Sequence, residues 1–128
     1  MISDIIKNTI MIGCGSFVGG AARYLISVAM KSMSRGFPWA TLLVNLTGCL
    51  IIGLLLGLFS KTSNEGSSWQ LFLTVGFCGG FTTFSTFANE SFQMLQNGNI
   101  AGFIAYVTTS IFVGIALIPL SFWLVKIL

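Results

Sequence analysis

The sequence predicts an all-α membrane protein of four transmembrane helices, with the third helix broken mid-membrane. Three observations carry this. Of the 128 residues, 55% are hydrophobic and 7% are charged, and the mean hydropathy is +0.94. A soluble domain carries about 25% charged residues, so this chain cannot cover itself against water and its solvent is lipid. The apolar residues gather into four segments, each near the roughly 20 residues that a helix needs to cross a bilayer. Finally, the run GFCGGFTTFSTF (76–87) lies inside one of those segments yet is rich in glycines and hydroxyls.

The first segment covers about 5–30. It is too long for a cleavable signal, and no small-residue cleavage site follows a basic start, so it is expected to stay as a span. Gly15 and Gly19 lie one turn apart on it. Arg23 lies near its end. Its stem can snorkel to the interface, or the guanidinium can stay inside and raise the local potential for an anion.

The second segment covers about 39–59 and places Thr41, Asn45, Cys49, Gly53 and Gly57 at every fourth residue. That spacing puts all five on one helical face. The lower half is a small-xxx-small surface, which lets backbones approach closely. Asn45 needs partners, because an unpaired amide in hydrocarbon costs several kcal/mol. It either joins two helices or lines a polar path.

The third segment covers about 71–95. Gly76, Gly79 and Gly80 weaken a helix where lipid demands one. Broken backbone at membrane depth is tolerated only where protein buries it or water reaches it. Carbonyls freed over 79–82 can coordinate a cation such as Na⁺, as broken helices in transporters do. Beyond the break, Phe84 and Phe87 share a face, with Ser85 and Thr86 between them. Phenyl edges are positive, so edges and hydroxyl donors together suit a small, strongly hydrogen-bonding anion. Plain packing is the ordinary alternative for Phe at this spacing. Glu90, near the segment's end, suits a water-accessible vestibule.

The fourth segment covers about 100–127. The connectors 31–38, 60–68 and 96–99 are short and polar, so neighbouring helices run antiparallel. Trp39, Trp69 and Trp123 stand at segment edges, where interface anchors belong.

Charge and cysteine content exclude several classes. The six basic residues are scattered and form no nucleic-acid stripe. Cys14, Cys49 and Cys78 read as small apolar packers. With no histidine and no Cys-x-x-Cys pair, a transition-metal site is not expected. No nucleophile–base pair or carboxylate pair suggests an enzyme. Lys7, Lys61 and Lys126 fall on one side of the four spans, and Arg23, Lys31 and Arg35 on the other. Three against three sets no orientation by the positive-inside rule. Either other factors choose a topology, or the chain inserts both ways and assembles as an antiparallel dimer.

GFCGGFTTFSTF, together with TLLVNLTG (41–48) and GGAARY (19–24), resembles the Fluc fluoride channels, also called CrcB. The resemblance covers length, span number, motif order and spacing. It implies a dual-topology, antiparallel homodimer with two pores, passively exporting toxic fluoride across a bacterial inner membrane. By motif, Phe84 and Phe87 match pore phenylalanines, Asn45 the pore asparagine, and Ser85 and Thr86 a hydroxyl track. Gly79 and Thr82 match positions whose carbonyls hold a central structural Na⁺. Arg23 matches a basic residue near the end of the first helix, Thr41 and Glu90 resemble vestibule positions, and Tyr106 and Ser110 resemble further pore positions. Gly114 stands where some members have serine.

Two other classes compete. A small multidrug-type proton antiporter has the same size and span number, but it needs an acidic residue mid-membrane in the first helix, to exchange protons for substrate. This chain offers Asp4 at the very start. A non-transporting subunit of a larger complex would show no conductance by itself.

Overall fold

In lipid every backbone N–H and C=O must be satisfied within the protein, and a helix does this inside one segment. The computed structural model describes residues 1–128 and has four helices long and apolar enough to cross a membrane, with no strand. Helix α1 is Ile2–Ala29 and α2 is Trp39–Lys61. The third span, Ser68–Gln96, divides into α3 (68–81) and α4 (Phe84–Gln96). The fourth span, α5, is Ile100–Ile127.

Helix starts follow capping chemistry more closely than hydropathy. The Ser67 hydroxyl accepts the Gln70 N–H at 3.2 Å, so α3 begins at Ser68, ahead of the apolar run expected from about residue 71. Asn99 Oδ1 accepts the Gly102 N–H at 3.0 Å and starts α5. The three connectors each turn on a glycine with positive φ: Gly36, Gly66 and Gly98.

Two glycine seams hold the helices together. Along the first, Gly15 and Gly19 of α1 lie against the backbone of Phe72, Phe77 and Phe81, while Gly76 and Gly80 of α3 lie against Ile12 and Ser16. A Cβ on any of the four would strike backbone atoms. Along the second, Gly53 and Gly57 of α2 receive Ile118, Ser121, Phe122 and Val125 of α5. Lipid gives no hydrophobic drive for helix association, so close van der Waals packing of this kind must supply it. A small buried cluster of Leu42, Met94 and Tyr106, flanked by Phe37, Leu46, Phe87 and Phe103, ties α4 and α5 to the upper half of α2.

The backbone departs from regular α-helix in three places. Residues Phe72–Cys78 and Thr109–Val113 are π-helical, a widening that hydropathy does not signal. The helix ends at Phe81, with the Thr82 N–H closing the last α-helical bond; Thr82 (φ −84°, ψ 164°) and Thr83 (φ −153°, ψ 122°) are extended, and helix resumes at Phe84. The expectation placed the weakness at the glycines, but Gly76, Gly79 and Gly80 all lie within helix. Gly76 and Gly80 serve the α1 seam instead. The chain leaves the helix at the two threonines, whose hydroxyls give the backbone other partners.

Replacing Gly19 with valine is expected to destabilise the fold by about 1–3 kcal/mol, the usual penalty for overpacking. Thermal or denaturant unfolding of the purified protein checks this. A variant as stable as the parent would show that the α1–α3 seam is not closely packed.

Candidate functional site

The polar half of the α2 stripe faces α4. Thr41 Oγ1 donates to Glu90 Oε1 at 2.8 Å, and the Tyr106 hydroxyl donates to Glu90 Oε2 at 2.7 Å. Both carboxylate oxygens are therefore held by neutral donors. Tyr106 is fully buried, and its ring lies 5.1 Å from that of Phe87.

One turn further along α2, Asn45 meets the interruption of the third span. Its Nδ2 donates to the Thr83 carbonyl at 3.0 Å, and its Oδ1 accepts the Thr83 N–H at 2.8 Å. A side-chain amide carries one acceptor and donors in the same arrangement as a peptide group. It can clasp both ends of Thr83 because that residue is extended and outside any helix. The Thr83 hydroxyl in turn caps α4: it accepts the Thr86 N–H at 3.2 Å and donates to Thr86 Oγ1 at 3.0 Å. Thr82 folds back onto α3, with both its N–H (3.0 Å) and its hydroxyl (2.9 Å) donating to the Cys78 carbonyl. Arg23 Nε donates to the Gly80 carbonyl at 3.1 Å, placing a cation at the negative end of α3.

Two cavities follow this polar line. The larger, of about 560 Å³, opens between the α1–α2 connector and α4, and its lining includes Lys31, Thr41, Thr86 and Glu90. The smaller, of about 260 Å³, is lined by Asn45, Cys49, Thr82, Thr83, Phe84, Phe87, Ser110 and Ile111. Phe84 and Phe87 lie 5.7 Å apart with their rings inclined by 50°, and Phe84 is 78% exposed. Ser110 Oγ is buried and has no hydrogen-bond partner. A buried hydroxyl left this way costs about 1–3 kcal/mol unless something occupies the space beside it. The smaller cavity thus offers neutral donors and phenyl rings, and no formally charged side chain lines it.

The structure brings together Asn45, Phe84, Phe87 and Ser110 in the smaller cavity, and Thr41, Thr86 and Glu90 in the larger. Ser85 is exposed and lines neither. Tyr106 also lines neither and is linked to the larger cavity through Glu90. Arg23 stands apart, on the α3 end, away from Thr41 and Glu90. Gly79 is exposed on the outer surface of α3. Sequence reasoning passed over Thr83, the residue with the most connections here. A threonine directly before a helical run is a recognisable N-cap, and that signal was present.

A family model described as "CrcB-like protein, Camphor Resistance (CrcB)" matches residues 10–122. The chain belongs to the CrcB family. It is similar to CrcB relatives named fluoride-specific ion channel FluC. The one from Phocaeicola vulgatus is 39% identical over 119 residues, covering 92% of this chain and 98% of the relative. That from Methylobacterium sp. is 40% identical, covering 93% and 96%, and that from Prosthecochloris aestuarii is 41% identical, covering 92% of each. CrcB membership together with four spanning-capable helices marks a multi-pass membrane protein. The antiporter alternative is not favoured: the one acidic residue of α1 is Asp4, which pairs with the N-terminal ammonium at 3.0 Å and lies far from mid-helix.

Tyr106→Phe is expected to lower stability by about 1–3 kcal/mol, because one Glu90 oxygen loses its donor. A double-mutant cycle with Glu90→Gln should show coupling of about 0.5–3 kcal/mol. Strictly additive effects would mean that the Tyr106–Glu90 bond contributes nothing.

Proposed function

We propose that this chain is a fluoride-selective, passive ion channel that exports fluoride across the bacterial inner membrane and so relieves its toxicity. One observation carries the reading. The smaller cavity combines the Asn45 amide and the unpartnered Ser110 hydroxyl with the rings of Phe84 and Phe87. A small anion with tightly held water can exchange that water for neutral donors and positive ring edges. A larger halide gains less from point donors. With no formal charge in the lining, the anion is not trapped there, and conduction requires binding weak enough to release. The relatives' name, fluoride-specific ion channel, agrees with this chemistry.

In this reading the path enters through the larger cavity, a vestibule where Thr41 and Glu90 stand, and passes Thr86 towards Asn45, Phe87, Phe84 and Ser110. Tyr106 serves it from behind by fixing Glu90. Ser85 and much of Phe84 face outward, which suits a wall completed by a second chain. Two antiparallel copies, permitted by the balanced charge count, would then form two pores.

A central structural Na⁺ fits the donor set. The Thr83 N–H, which in a continuous α-helix would close on the Gly79 carbonyl, is bonded to Asn45. The Thr86 N–H, which would close on the Thr82 carbonyl, is bonded to the Thr83 hydroxyl. Both carbonyls are therefore without α-helical partners, and nothing lies within 4 Å of a Cβ built at Gly79. Gly79 and Thr82 from two chains would hold a hard cation by oxygen, and the bound ion would neutralise carbonyl charge between the copies.

Liposomes containing this protein alone should release fluoride much faster than chloride. Phe84→Ile should cut fluoride efflux by about tenfold or more, the effect of about 1.4 kcal/mol on a barrier. Equal fluoride and chloride permeability would overturn the proposal.

A further inference from the structure

We infer that Asn45 and Thr83 are positioning residues for the cation: together they draw two backbone N–H groups onto side-chain oxygens and so keep the Gly79 and Thr82 carbonyls free. The inference rests on the cation reading above and assigns a role to side chains that do not themselves ligate the cation.

The argument starts from the accounting of backbone groups. An α-helix bonds the N–H of each residue to the carbonyl four residues back. Applied across the interruption, that rule would consume the Gly79 carbonyl with the Thr83 N–H, and the Thr82 carbonyl with the Thr86 N–H. Neither bond is made, and in each case a side-chain oxygen takes the N–H instead. Asn45 Oδ1 takes the first at 2.8 Å, and Thr83 Oγ1 takes the second at 3.2 Å. Asn45 also donates to the Thr83 carbonyl at 3.0 Å, which holds that peptide at both ends in the extended conformation.

Buried N–H groups do not go unbonded. If either side-chain oxygen is removed, the orphaned N–H turns to the nearest carbonyl in helical register. For Asn45 that carbonyl belongs to Gly79, and for the Thr83 hydroxyl it belongs to Thr82. The two carbonyls assigned to the cation are therefore the two that Asn45 and Thr83 protect. The α2 stripe and the third span become one device, because an amide on α2 sets the coordination available on α3.

The test measures how sodium stabilises the purified full-length protein in detergent. Thermal midpoints are recorded against NaCl, with choline chloride holding ionic strength constant. The unsubstituted protein is expected to show a saturable rise in midpoint. Asn45→Ala and Thr83→Val are each expected to raise the sodium concentration for half-maximal effect by about tenfold or to abolish the response, as the loss of one coordinating oxygen to a competing hydrogen bond would do. Thr83→Ser keeps the oxygen and should restore the original half-saturation. If Asn45→Ala does not fold, Thr83→Val with its serine counterpart decides the matter. A lowered midpoint with unchanged sodium half-saturation in the folded variants means a merely structural role and overturns this inference while leaving the cation reading intact. If the unsubstituted protein shows no sodium response, the cation reading fails and this inference falls with it.

Discussion

The peptide group of Thr83 is the constraint on which the rest depends. It stands outside any helix in a chain whose solvent is lipid, where an unsatisfied N–H or C=O costs several kcal/mol. Asn45 meets both ends of it. Once that clasp is in place, α3 can end at Phe81, α4 can begin at Phe84, and the two halves of the span need not share an axis. The phenylalanine pair then sits on the first turn of a new helix, beside the amide that allowed the helix to start there. Site and fold share one interaction, so the polar residue at membrane depth needs no separate structural reason.

The clasp is useful only if α2 is held firmly. The same α2 face supplies that hold at its other end, where Gly53 and Gly57 bring α5 close enough for Ser121 and Ile118 to touch. On the far side, α3 is fixed to α1 through Gly15, Gly19, Gly76 and Gly80. The interruption therefore lies between two closely packed pairs of helices. Flexible seams would let Asn45 drift from Thr83, and a bond of 2.8 Å does not tolerate a shift of even about 1 Å.

Much of this was legible in the sequence for physical reasons. Span number follows from hydropathy because lipid requires it. The α2 stripe follows from a four-residue period, and Asn45 stood out because a buried amide must be paired. What was not legible depends on geometry between segments. The glycines of 76–80 looked like the weak point because intrinsic propensity is local, but their lack of a side chain is used for approach to α1, which is a tertiary matter. Thr83 carries the residue type of an N-cap, but so do Thr82, Ser85 and Thr86 beside it, and only the position of the extended backbone singles it out. For Arg23 the sequence offers an interface anchor or an anion-attracting charge, and the structure adds a partner that neither reading named, the Gly80 carbonyl. The π-helical turns at 72–78 and 109–113 leave no trace in hydropathy at all.

The placement of charge completes the argument. Formally charged side chains are kept out of the smaller cavity. Both oxygens of Glu90 are bonded to neutral hydroxyls beside the larger cavity, and Arg23 is turned to the α3 carbonyl end. The smaller cavity keeps no formal charge: an amide, hydroxyls, a thiol, phenyl rings and an aliphatic side chain line it. A fixed cation there would bind an anion too tightly to let it leave, and a fixed anion would exclude it. Dipoles attract without either penalty and act at short range, so they favour the ion small enough to approach them closely. In the proposed channel, selectivity by size and rapid release would have the same origin, the absence of formal charge between Phe84 and Ser110.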